Sequence, residues 1–174
     1  MSFLGTLTDN RERGMLMELE LSIRKAIDEE IKKYPEGREQ SAVMAALMLV
    51  QEANEGYLTE ALIGAVADYL HIPRIAAKEV STFYSMYEHE PVGRYKLELC
   101  TNISCQFKDC EKISAHLKKK WGISFGETTP DGRFTLKQVE CLGACIEAPV
   151  MQIGKKYHGN LTPEGLDKIM DELK

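Results

Sequence analysis

Two cysteine pairs carry the residue types and spacing that point to chemistry: Cys100-Thr-Asn-Ile-Ser-Cys105 and Cys141-Leu-Gly-Ala-Cys145, with 35 residues between them. They account for four of the five cysteines in the chain. Thiolates are soft, anionic ligands, so four of them brought together suit Zn²⁺ or an iron–sulfur cluster far better than Mg²⁺ or Ca²⁺. Structural zinc sites use Cys-x₂₋₄-Cys pairs on tight knuckles, because one tetrahedral ion must be gripped by both pairs at once. A [2Fe–2S] cluster spreads its four thiolates over two irons. A Cys-x₄-Cys step occurs in plant-type ferredoxins, whose further Cys-x₂-Cys has no counterpart here. Spacing alone leans modestly toward iron–sulfur and leaves zinc open.

The segments around the pairs read as a small layered domain. Tyr95, Leu97 and Leu99 alternate with Arg94, Lys96 and Glu98, which predicts a half-buried strand delivering Cys100 to the end of a sheet. After a loop to Cys105, a helix is expected over roughly 108–121, stopped by Gly122. Pro130-Asp131-Gly132 marks a turn, and residues 134–140 read as a second strand that delivers Cys141. Residues 150–153 and 156–158 flank Gly154-Lys155, a two-residue hairpin turn. Thr162-Pro163-Glu164 opens a terminal helix, with Thr as N-cap and Pro at the first helical position. Strand, helix, strand, strand, helix is a thioredoxin-like outline. Each loop leaves a strand and folds back, so backbone N–H groups can face sulfur, and Gly143 is expected to permit a close approach where a side chain would collide.

The upstream half is helical. Residues 1–14 mix Gly5, Thr8, Asp9, Asn10 and Gly14 with charges and read as a mobile leader. Leu16, Leu19, Ile23, Ile27, Ile31 and Tyr34 recur at helical steps, ended by Pro35 and Gly37. Residues 42–50 are apolar nearly all round, the mark of the most buried helix of a bundle. Thr59 caps a third helix through Leu62, Val66 and Leu70, and Pro73 precedes a fourth through Ile75, Val80, Phe83 and Tyr87. Tyr57, Tyr69, Phe83 and Tyr84 offer either a partner surface or core filling, and their helical spacing favours the core, to which the methionines Met15, Met17, Met44, Met48 and Met86 are also assigned. A metal within this bundle is rejected: residues 15–90 hold only His71 and His89, no cysteine and no Glu-x-x-His pair. Pro91 and Gly93 break the pattern, giving a helical domain over 15–90 and a cluster domain over 91–174.

Composition narrows the function classes. A net charge of −5 argues against a nucleic-acid surface, and Lys118-Lys119-Lys120, the one basic run, is explained by a solvated helix face. No apolar run approaches the roughly 20 residues that span a bilayer, so no direct membrane insertion is expected. Residues 1–13 lack a secretory hydrophobic region and carry Asp9 and Glu12, as expected of a mature cytosolic chain. Five cysteines, an odd number, fit a metal site plus one spare better than a disulfide framework. No Gly-x-Gly-x-x-Gly turn or P-loop is present, so no nucleotide site is expected on this chain.

The order of the two pairs, followed by Glu147-Ala148-Pro149-Val150, resembles the 24-kDa [2Fe–2S] subunit family of respiratory complex I, NADH:quinone oxidoreductase. The likeness extends to Phe83-Tyr84-Ser85-Met86-Tyr87 before Pro91-Val92-Gly93, to Thr129-Pro130-Asp131-Gly132, and to Asn160-Leu161-Thr162-Pro163-Glu164. It covers roughly residue 30 to the C-terminus. The resemblance implies an α+β or α/β chain: an N-terminal four-helix array that docks and braces, followed by a thioredoxin-like [2Fe–2S] ferredoxin domain with Cys100, Cys105, Cys141 and Cys145 as ligands. It implies a one-electron carrier that exchanges electrons with a flavin- and NADH-binding partner, FMN and NADH lying only on that partner. It further implies a bacterial cytoplasmic chain, peripheral on the inner membrane through its complex. Relatives of this family also serve NAD-linked formate dehydrogenases and hydrogenases, which is the alternative reading. Pro149 falls where thioredoxin-like folds often place a cis proline beside the site.

An all-thiolate ligand set with no His excludes the Rieske pattern and predicts a low reduction potential. Cys110, on the expected helix, is read as a structural thiol outside the ligand set, and His116 and His158 as surface residues without acid–base roles. Two other classes compete: an interaction module stapled by zinc, and a thiol–disulfide enzyme, for which a Cys-x-x-Cys motif is missing.

Overall fold

The computed structural model describes residues 19–173. The expected leader over 1–14, with Met15, Leu16 and Met17, lies outside the described residues. The chain divides into two compact units between Pro91 and Val92.

The first unit contains α1 (Leu21–Ile31), a 3₁₀ turn (Glu39–Ala42), α2 (Val43–Ala53), α3 (Glu60–Tyr69) and α4 (Arg74–Phe83). Helix α1 is shorter than the periodicity suggests, beginning at Leu21 and burying Ile27. Helix α2 buries Ala46, Leu47, Val50 and Gln51, and its apolar residues join Leu62, Ile63, Val66 and Ala67 of α3 in one cluster. Fully burying a side chain of leucine or isoleucine size contributes about 1.5–3 kcal/mol, so this cluster holds the bundle together. Thr59 caps α3 as its sequence position predicts, its hydroxyl accepting from the Leu62 N–H at 3.2 Å. The Gln51 side chain is buried and spoken for, accepting from the Glu88 N–H (2.7 Å) and donating to the Met86 carbonyl (3.1 Å). The core assignment of the aromatic set fails at Phe83, which is 80% exposed, and Tyr84 is exposed beside it. Both stand at the end of α4, where the chain leaves the helix and period alone no longer sets which side faces inward.

The second unit is a four-stranded sheet with helices, in the order β2-β1-β3-β4. Its strands are β1 (Tyr95–Cys100), β2 (Phe134–Val139), β3 (Met151–Ile153) and β4 (Lys156–His158). Its helices are α5 (Ile103–Phe107), α6 (Cys110–Trp121) and α7 (Pro163–Glu172). Strands β1 and β2 run parallel with Cys100 opposite Val139, so Cys100 and Cys141 leave neighbouring strands at the same end. Strand β3 pairs antiparallel with β1, and β4 with β3. Leu97, Leu99, Phe134, Leu136 and Met151 form a core with Ile113 and Leu117 of α6 and Leu166 and Met170 of α7. The outer side of β2 is covered locally: the Leu136 N–H donates to the Glu127 carbonyl (3.0 Å), and the Gly126 N–H donates to the Leu136 carbonyl (2.8 Å).

Two expectations need correction. The stretch ahead of Cys105 is not a plain loop but the short helix α5, capped by Asn102, whose side chain accepts from the Ile103 N–H at 2.9 Å. His116, expected at the surface, is half-buried: its Nε2 lies 2.8 Å from Asp167 Oδ1, and Lys120 Nζ reaches Asp167 Oδ2 at 2.8 Å, tying α6 to α7.

Candidate metal centre

Cys100 is the last residue of β1, and Cys105 lies in the middle of α5. Both are only 2% exposed and pack with Cys110 and Ala148 in a small apolar cluster, against which Leu142 also packs. Leu142 follows Cys141, so the two cysteine segments touch. Burial, and then the neighbouring Cys100 thiol, push the Cys105 thiol up to about 11, while the Val150 backbone acts in the opposite direction by favouring the thiolate.

Cys141 and Cys145 are exposed, with their sulfurs 3.4 Å apart and not in a disulfide. Around one tetrahedral metal with bonds of about 2.3 Å, two sulfurs stand about 3.8 Å apart, so this pair already has nearly the bite of a single ion. The Gly143 N–H donates to the Cys141 sulfur at 3.4 Å and, ahead of the Cys145 thiol, holds the Cys141 thiol below its ordinary value. Gly143 has φ of +77°, and a Cβ there would meet nothing within 4 Å. The expected reason for this glycine is therefore corrected: it supplies a left-handed turn that aims an amide at sulfur, rather than room for a close approach.

The thiols come as two pairs, Cys100 packed with Cys105 and Cys141 beside Cys145, both at one end of the parallel β1 and β2. Two pairs of thiols on one sheet end suit two irons, whereas a lone zinc asks all four for a single focus. The remaining thiol, Cys110, is buried on the first turn of α6 beside the first pair, closer to the centre than its sequence position suggests. Burial, followed by the neighbouring Cys100, raises its thiol. The Ala148–Pro149 peptide bond is cis.

Sequence reasoning missed two contributors. One is the Val150 backbone, whose carbonyl accepts from the Cys100 N–H at 3.0 Å and which favours the Cys105 thiolate. The other is the segment 159–161, which crosses the back of the second cysteine loop; the turn-forming Gly159-Asn160 dipeptide was the available signal.

The thioredoxin-like [2Fe–2S] ferredoxin family profile matches residues 27–174. The chain is 44% identical to a subunit of the NADH-quinone oxidoreductase of Rhizobium meliloti (strain 1021), over 88% of this chain and 90% of that protein. It is 44% identical to an NADH-quinone oxidoreductase subunit of Rickettsia felis, over 82% of this chain and 85% of that one. Among solved structures, an NAD⁺-reducing [NiFe]-hydrogenase in the H₂-reduced state aligns with a TM-score of 0.63 at 17% identity. That alignment covers 73% of this chain but only 22% of the hydrogenase chain, so it speaks for the fold alone. With the sheet, the paired thiols and the matched residues in agreement, the chain belongs to the thioredoxin-like [2Fe–2S] ferredoxin family.

Proposed function

We propose that this chain is the electron-transfer subunit of an NADH:quinone oxidoreductase, holding a [2Fe–2S] cluster through Cys100, Cys105, Cys141 and Cys145. The observation that carries the reading is the 44% identity to a component of such an enzyme in Rhizobium meliloti, along 88% of this chain and 90% of the relative. The bound cluster supplies one-electron chemistry. A one-electron carrier cannot take a hydride from NADH; a flavin must accept the pair and release the electrons singly, and this chain has no dinucleotide fingerprint. FMN and NADH therefore belong to a partner subunit. Residues 91–174 act as the cluster domain, residues 15–90 as a docking and bracing bundle, and residues 1–14 as a leader. No helix among the described residues is long and apolar enough to cross a membrane. The proposed place is the cytoplasmic side of a bacterial inner membrane, reached through the complex.

Exposed apolar side chains support a partner at the cysteine end. Ile146, next to Cys145, is 97% exposed, Phe107, close after Cys105, is 84% exposed, and Ile103 of α5 is exposed as well. Bare groups of this size around a redox centre are what a covering subunit would bury. The test is direct. The purified chain should be brown, bleach with dithionite, bind no NADH by calorimetry, and be reduced by NADH only after the flavoprotein is added. Reduction of the isolated, flavin-free chain by NADH would overturn the reading.

A further inference from the structure

The second cysteine loop is braced from behind. After Cys145 the chain makes a 3₁₀ turn (Cys145–Glu147) and passes through Ala148 and Pro149 to Val150. The Val150 carbonyl accepts from the Cys100 N–H at 3.0 Å, so this segment also ties the second loop to the end of β1. Across its outer side runs the segment 159–161. The Asn160 N–H donates to the Glu147 carbonyl at 2.5 Å, and the Leu161 N–H donates to the Pro149 carbonyl at 3.2 Å. Leu161 is buried in the sheet core, and Thr162 caps α7 by accepting from the Gly165 N–H at 3.1 Å. The strap is therefore anchored at its far end by packing and by a helix cap.

The strap lies this close because residue 159 has no side chain. A Cβ built on Gly159 would overlap the Glu147 Cβ and stand 2.6 Å from Glu147 Oε2 and 3.0 Å from the Glu147 carbonyl oxygen. The first clash is with the root of a side chain and the last with backbone, so a rotamer change cannot relieve both. Asn160 follows with φ of +50°, a left-handed conformation that Asn tolerates better than most residues.

We propose that Gly159 is a positioning residue for the cluster: by letting the 159–161 strap close onto Glu147 and Pro149, it fixes the loop that carries Cys145 and leads to Val150. The inference rests on Cys145 being a ligand, as proposed above. Backbone amides near cluster sulfurs, and the access of water to them, set the reduction potential, so a small displacement of this loop is read out electronically before it is read out as unfolding.

The experiment uses the full chain, alone and in its complex, in four forms: wild type, Gly159→Ala, Glu147→Gly and the double variant. Iron and acid-labile sulfide, the EPR spectrum of the reduced cluster and its midpoint potential are measured for each. Gly159→Ala should shift the midpoint potential and the EPR g-values, or lose iron if the loop moves too far to hold it. Glu147→Gly removes the Cβ and carboxylate that collide, so the double variant should return most of the way to the Glu147→Gly baseline, a coupling that two unrelated sites would not show. Wild-type potential and spectrum in Gly159→Ala would overturn the proposal. So would a change, including failure to fold, that Glu147→Gly leaves unaltered. A wild-type chain with no cluster would instead overturn the ligand reading, and the two failures are thereby distinct.

Discussion

The two cysteine pairs sit at the same end of one sheet, yet they are made of different material. Cys100 and Cys105 are part of the interior, enclosed with Cys110 and Ala148, whereas Cys141 and Cys145 lie open on a glycine turn. In the first pair burial disfavours the thiolate at Cys105; in the second a backbone amide favours it at Cys141. The contrast separates two jobs within the proposed centre. A buried pair gives a fixed, water-poor anchor, and an exposed pair gives an accessible half-site on the side from which iron and a partner subunit can approach.

The largest effect is expected from the ligands themselves. Each of Cys100→Ser, Cys105→Ser, Cys141→Ser and Cys145→Ser should abolish stoichiometric iron and acid-labile sulfide, whatever the burial of the residue replaced. Full retention in any one would remove that residue from the set. Cys110→Ser is the control: as buried as the first pair, it should still yield a brown protein, and a colourless product would show the ligand assignment to be wrong.

Next comes reactivity in the iron-free chain. Cys141 and Cys145 should be alkylated by iodoacetamide at least about tenfold faster than Cys100, Cys105 and Cys110, because attack requires an accessible thiolate. Mass spectrometry of partly labelled protein reads the order, and equal labelling would break the distinction between the pairs. A smaller effect is expected at the rim. Ile146→Lys combined with Phe107→Lys should weaken association with the flavoprotein about tenfold or more, since exposed apolar anchors at an interface carry about 1–2 kcal/mol each. Cluster content should stay unchanged, and undiminished affinity would place the partner elsewhere.

The smallest effect lies away from both pairs. Lys120, and after it His116, hold the Asp167 carboxyl at about 2. This is below the ordinary Asp value of about 3.9, so the bridge stabilises fully above about pH 4 and is lost as pH falls through about 2. In the iron-free chain, Asp167→Asn should lower Tm slightly near neutrality, with the difference from wild type vanishing in strong acid. A difference as large at pH 2 as near neutrality would mean the bridge is not its source.

What could be read from the sequence was what local chemistry decides. Thr59 and the Thr162-Pro163 start declare their helices because caps and prolines act within a few residues, and Gly154-Lys155 declares its hairpin for the same reason. Type and spacing singled out the two thiol pairs, and the parallel pairing of β1 and β2 carries Cys100 and Cys141 to one end of the sheet. Period failed where elements are short or end: α5 spans five residues, too few for a helical repeat to show, and only Asn102 before Ile103 signalled it. Phe83 obeys the repeat of α4 and still faces outward. The His116–Asp167 contact joins residues 51 positions apart, and the unequal burial of the two pairs depends on how β1, α5 and α6 close over one of them. Such facts belong to packing, and no single stretch of sequence contains them.

The covered flank of β2 has a consequence for the chain before it is assembled. With the Leu136 N–H and carbonyl both engaged by residues 126–127, a second molecule finds no continuous row of open backbone groups along that strand. The opposite flank, β4, is three residues long and begins at Lys156 beside Lys155, too short and too charged a template for strand addition. A stock of metal-free chains is thus guarded against growth of sheet upon sheet. Its characteristic damage should instead be oxidative: with dioxygen or peroxide as the two-electron acceptor, Cys141 and Cys145, whose sulfurs stand 3.4 Å apart, should close a disulfide within one molecule that blocks iron loading until a thiol reductant reopens it.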